Sequence, residues 1–128
     1  MRAIALCTAT LFLSLLGDDK PTLDRLLEER IKLNREYKED FLEAAKESAF
    51  PEQAARFEAG VADGWIDLLT KIRGSDDEEL KMSILRLEYY DEMRSYLTEL
   101  EWAETNEERA EARAGIEEYE QRLKGLEN

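Results

Sequence analysis

Histidine is absent from this sequence, and cysteine occurs once, at Cys7. Without histidine the chain lacks the commonest general base near neutral pH, the Ser-His-Asp arrangement, and the usual zinc, copper and non-haem iron ligand sets. One cysteine cannot close an intrachain disulfide, so the fold must hold by packing alone. Proline is nearly as scarce, with two residues, and glycine numbers six, too few for a loop-rich or low-complexity chain. No glycine-rich phosphate loop, Walker-type lysine or nucleophile elbow is present.

Acidic residues are missing from one stretch only. Met1 to Gly17 contains none of the 31 Asp and Glu, carries Arg2 as its single charge, and is apolar from Ala3 to Leu16. That pattern predicts a secretory signal peptide over 1–17, too short to span a bilayer, followed by one acidic domain over 18–128. Release of the leader would remove Cys7 and leave 17 basic against 31 acidic residues, a net charge of −14. A lipid anchor on Cys7 is disfavoured, because Leu6 stands where a small residue is wanted and only six residues precede the cysteine. A secreted or periplasmic protein is expected, without stable membrane insertion once the leader is gone. Its negative field opposes nucleic acid and anionic headgroups and favours a basic or cationic protein partner.

After Asp18 the apolar residues recur every three or four positions, which predicts an all-α protein. Thr22 is an N-cap candidate ahead of a helix over 23–48, whose face is Leu23, Leu26, Leu33, Tyr37, Phe41 and Ala44. Phe50 and Pro51 mark a break and restart, since proline suits only the first turn of a helix. The next stripe is Ala54, Phe57, Val61, Trp65, Leu68 and Ile72, ending at Gly74. Gly60 and Gly64 weaken it by up to about 1 kcal/mol each relative to alanine. Either they admit a close neighbouring helix or the chain bends there, and a continuous helix is the expectation.

Ser75 with Glu78, and Thr105 with Glu108, have the spacing of capping boxes, so helices are expected from about Asp76 and Asn106. The third helix carries Met82, Leu85, Tyr89, Met93, Tyr96 and Leu100. The last has Ala112, Ile116, Tyr119, Leu123 and Leu126 at coiled-coil spacing. Short connections between long helices imply an up-down antiparallel bundle of three long helices plus a C-terminal helix. There is no internal repeat.

Carboxylates are the most abundant functional group. Glu36, Glu39, Asp40, Glu43 and Glu47 crowd the end of the first helix, and Glu88, Asp91 and Glu92 sit on the third. A carboxylate-bridged metal bundle is the alternative here, but its Glu-x-x-His pattern is missing, and a solvated face is favoured. Opposite charges four residues on, as in Glu28 with Lys32, Asp67 with Lys71, Glu118 with Arg122 and Glu120 with Lys124, support that view. The run from Gly74 to Glu79 lacks the alternating ligands of a calcium loop. Its Asp76, Asp77, Glu78 and Glu79 suit the positive end of a helix dipole. Paired carboxylates for glycoside cleavage would need a cleft. Of the aromatics, Tyr90 and Trp102 lie off the third stripe, and burial is expected for them, with Trp102 the first alternative as a binding anchor.

These observations point to a non-enzymatic, exported helical bundle that binds a partner through an acidic surface and needs no cofactor or metal. The candidate residues are Glu39, Glu43, Glu47, Asp76, Asp77, Glu88, Glu92 and Trp102. The rival is a structural or self-associating envelope protein, pairing as a homo-oligomer through the Ala112 to Leu126 seam.

Overall fold

A computed structural model describes residues 21–127. The expected leader over 1–17, with Cys7, lies outside the described residues. Four helices and no strand occur among them: α1 (Leu23–Ala45), α2 (Pro51–Arg73), α3 (Glu78–Trp102) and α4 (Asn106–Glu127). Their packing is that of a helical bundle, and the chain divides into two compact units, Thr22–Lys81 and, C-terminal to it, 82–127.

Local chemistry sets the helix ends. The Thr22 hydroxyl accepts from the Arg25 amide at 3.2 Å, capping α1 as its sequence predicts. α1 ends at Ala45, three residues earlier than expected, where the Lys46, Glu47 and Ser48 amides turn back onto carbonyls three residues before them. Pro51 opens α2, which continues unbroken through Gly60 and Gly64. The start of α3 differs from expectation. Asp77, not Ser75, is the cap: its carboxylate accepts from the Leu80 amide at 3.1 Å, while Ser75 Oγ accepts from the Asp77 amide. Aspartate caps as well as serine does, and the extra residues form a turn before the helix. At α4 the expected cap forms, with the Glu108 amide donating to Thr105 Oγ1 at 3.1 Å and the Glu108 carboxylate reaching back to the Thr105 hydroxyl and the Glu104 amide.

In the first unit α1 and α2 form an antiparallel hairpin. Two ion pairs fix its register: Lys38 with Asp63 at 2.7 Å and Arg73 with Glu28 at 3.5 Å. They are ten residues apart on each helix, so residues between them stay level, and the same register continued towards the turn sets Phe41 level with Gly60 and Ala44 with Phe57. Leu26, Leu27, Ile31, Leu33, Leu69 and Ile72 form the core at the open end of the hairpin. There the buried Lys81 ammonium donates to Asp24 at 2.8 Å, a hydrogen bond that raises its pKa above the ordinary lysine value.

In the second unit Tyr96 contacts α4 near Gly115, and Tyr89 contacts Tyr119 and Arg122 farther along, so α3 and α4 are also antiparallel. The buried seam of α4 is Ala112, Gly115, Tyr119, Arg122 and Leu126. Gly115 and Arg122 take positions that the periodicity assigns to Ile116 and Leu123. Both departures have a physical cause. A Cβ on Gly115 would stand 2.5 Å from the Tyr96 ring, so any larger residue there would have to displace that ring. Arg122 stacks its guanidinium 4.9 Å from the Tyr119 ring centroid and holds Glu118 at 2.8 Å. This seam faces α3 of its own chain.

Candidate binding surface

The densest buried polar cluster lies between α3 and α4. Glu88, Glu92 and Arg122 are almost fully buried, with Tyr89, Tyr96 and Tyr119 around them. Tyr119 sits 5.7 Å from Tyr89 and 6.0 Å from Tyr96, centroid to centroid. Burial raises the Tyr96 phenol well above the ordinary tyrosine pKa, and the neighbouring Tyr119, Glu92, Glu118 and Glu99 push the same way. Such groups are withdrawn from any solute, and among the described residues no three Asp, Glu or Cys side chains converge so as to hold a metal ion. Glu88 and Glu92 therefore do not belong to an exposed acidic face. On α3 they fall in the frame of Leu85, Tyr89 and Tyr96, and the spacing that buries those residues carries the two glutamates inward as well.

The remaining sequence-predicted residues are exposed. Glu39, Glu43 and Glu47 lie at the end of α1 and in the turn after it, and Asp76 and Asp77 lie just before α3. Trp102 is 78% exposed at the last residue of α3, and Tyr90 is exposed as well. Both run against the expectation of burial. α3 packs its Leu85, Tyr89 and Tyr96 face on α4, and by helical phase Tyr90 lies far round from that face.

The structure also shows a surface that periodicity alone did not reveal. One face of the hairpin carries the row Leu26, Arg30, Leu33, Tyr37, Phe41 and Ala44 on α1. Beside it on α2 run Phe57, Val61, Trp65, Leu68 and Ile72. At the open end Leu26, Arg30, Leu33 and Ile72 are buried while Leu68 is partly exposed; towards the turn both rows emerge. Phe41 is 43% exposed, Phe50 69%, Phe57 67% and Val61 56%. Tyr37 and Phe41 stack in a tilted pair 6.3 Å apart. Phe50 stands at the N-cap position of α2 with no side-chain cap. A sequence signal for this tip does exist. Ala54, Ala55, Ala59, Gly60, Ala62 and Gly64 fill the first half of α2 with small residues, which cannot cover the large side chains of α1.

Acidic groups border the patch. Glu36, Asp40 and Glu43 stand one position ahead of Tyr37, Phe41 and Ala44 on α1, so a carboxylate row runs beside the apolar row, and Glu47 follows in the turn after the helix. Residues 36–47 hold five acidic residues against two lysines. Lys46 is engaged with Glu43 at 2.9 Å and Lys38 with Asp63 across the hairpin. Glu39 falls off this row, about 100° round the helix from Asp40. At Gly60 and Gly64 an added Cβ would meet nothing within 4 Å among the described residues. The helix is continuous, as expected, and among the described residues no neighbouring helix uses the two glycines.

Compared with known proteins, the chain matches no protein-family model, no curated protein and no solved structure.

Proposed function

We propose that this protein is an exported, non-enzymatic binding module that engages a basic or cationic partner through its acidic surface. The observation that carries this proposal is the set of exposed carboxylates Asp40, Glu43 and Glu47, at the end of α1 and in the turn after it, beside uncovered phenylalanines at the hairpin tip. Monomeric soluble proteins rarely leave contiguous apolar patches on display, and such patches mark interaction sites. A net charge of −13 makes the partner's charge positive, by steering and by repulsion of anions. The absence of histidine supports a role without general-base or metal chemistry. Export, to the periplasm or outside the cell, is supported by the acid-free, apolar 1–17.

Two measurements test this. Retention of a basic protein on the immobilised chain is expected to fall steeply between low and high salt, since exposed charges are screened beyond about 8 Å at physiological ionic strength. Salt-indifferent retention would count against it. Mass spectrometry of the natively expressed protein is expected to give an N-terminus near Asp18, and an intact cytosolic chain would remove the export element.

A self-associating role has its own supporting observation. Leu80, Leu87, Tyr90 and Leu97 are exposed on α3, in a strip outside the face of Leu85, Tyr89 and Tyr96. Light scattering showing only monomer at high concentration would dismiss it.

A further inference from the structure

We propose that the tip of the α1–α2 hairpin is a docking site for a basic amphipathic helix. The partner's apolar face would lie on Phe41, Phe57 and Val61, and its lysines and arginines over Asp40, Glu43 and Glu47. This rests on the binding role above and names the partner's shape as well as its charge.

Three features select that occupant. The rows that seat the hairpin core at its open end continue to the tip in the same helical frame, so the exposed tip has the form of a helix-packing surface with one helix missing. From Phe57 to Leu68 it is about 16 Å long, which a partner helix of roughly eleven residues covers with anchors at i, i+4 and i+7. The carboxylate row lies along one edge of that surface, the arrangement that complements a helix with an apolar face and a basic flank. The same row argues against the other occupants. A second copy would set two negative rows together, and an anionic membrane or a nucleic acid would be repelled.

The test uses the full chain and three synthetic probes: a 14-residue lysine–leucine amphipathic peptide, a scrambled peptide of the same composition, and neutral phosphatidylcholine vesicles. Tight binding of the amphipathic peptide is expected, weakened about tenfold by Phe57→Ser with Val61→Ser and by a similar factor in Asp40→Asn with Glu43→Gln and Glu47→Gln. The scrambled peptide is expected to bind more weakly and to ignore the Phe57 and Val61 changes. Amide shifts on wild-type protein provide a readout that no variant's folding can confuse. They are expected to concentrate at Phe41, Ala44, Phe57 and Val61. Shifts centred on Leu87, Tyr90, Leu97 or Trp102 would overturn the site, as would vesicle binding that matches the peptide. Equal affinity for the two peptides, unaffected by Phe57→Ser, would overturn the docking site while leaving cationic recognition standing. Failure of both peptides to bind would remove cationic recognition and the docking site together.

Discussion

The α3–α4 pair and the tip of the α1–α2 hairpin treat their aromatics in opposite ways. The pair buries Tyr89, Tyr96 and Tyr119, whose hydroxyls are costly to desolvate, together with Arg122, Glu88 and Glu92. The tip exposes Phe41, Phe50 and Phe57, which carry no polar atom to keep in water. Hydropathy alone would exchange the two. Polar aromatics can be buried where a guanidinium and carboxylates share their space, and Phe41 stays outside where the first half of α2 is rich in alanine and glycine. The first arrangement gives a specific interior; the second leaves a surface with binding free energy in reserve.

Five substitutions sharpen or break that contrast. Arg122→Ala has the largest expected effect. It strips Glu118 of its buried partner and removes the stack on Tyr119, and breaking such pairs costs about 3–5 kcal/mol. Denaturant titration checks it; a loss under about 1 kcal/mol would mean that the pair is looser than described.

Gly115→Ala comes next. Alanine gains up to about 1 kcal/mol of helix propensity, but its Cβ would overlap the buried Tyr96 ring, and overpacking costs about 1–3 kcal/mol. A lower melting temperature is expected. An unchanged or higher one would show that the ring can move aside.

Tyr96→Phe tests the polar interior. The Tyr96 hydroxyl is buried and has no hydrogen-bond partner among the described residues, so its removal is expected to stabilise by about 1 kcal/mol at neutral pH. The effect depends on pH. The phenol pKa is raised in the folded state, so the unfolded chain loses its proton first, near pH 10, and wild-type stability falls as pH rises beyond that point. Tyr96→Phe should flatten this alkaline decline in melts between pH 9 and about 11. Part of the slope will persist, because the raised pKa of Lys81 also makes stability fall as pH climbs through the lysine range. An identical slope in the variant would refute the assignment to Tyr96.

Gly60→Ala and Gly64→Ala set the hairpin against Gly115. Since nothing lies within 4 Å of the added methyl among the described residues, each change should stabilise by up to about 1 kcal/mol, opposite in sign to Gly115→Ala. Destabilisation of the isolated protein at either site would reveal a contact within the chain. Loss of partner binding at unchanged stability would place that contact in the complex.

Much of the fold was legible beforehand. Thr22, Pro51, Thr105 and Glu108 announce three of the four helix starts, because capping is short-range chemistry between residues three or four apart. The stripes of α1 and α2 were also legible, down to Phe41, Phe57 and Val61. Their exposure was not, since a period shows which residues share a face and is silent on what covers it. The candidate site was accordingly half visible. Glu43 and Glu47 stand out in the sequence and border the tip, whereas the period of the stripe assigns the phenylalanines beside them to the core. Glu88 and Glu92 failed for the complementary reason, as a charged residue in the buried frame of a helix goes inward wherever the interior can accept it.

From the sequence alone come the helical class, the helix boundaries to within a few residues, the acidic charge and the lack of imidazole chemistry, because each depends on composition or on neighbours along the chain. Tertiary packing alone decided three things: that the α4 seam runs through Gly115 and Arg122, that the hairpin rows emerge towards the turn, and that Tyr89, Tyr96 and Tyr119 are enclosed while Phe41, Phe50 and Phe57 are not. Those outcomes depend on the size and charge of side chains far apart in sequence, such as Tyr96 against Gly115, and no local pattern carries that information.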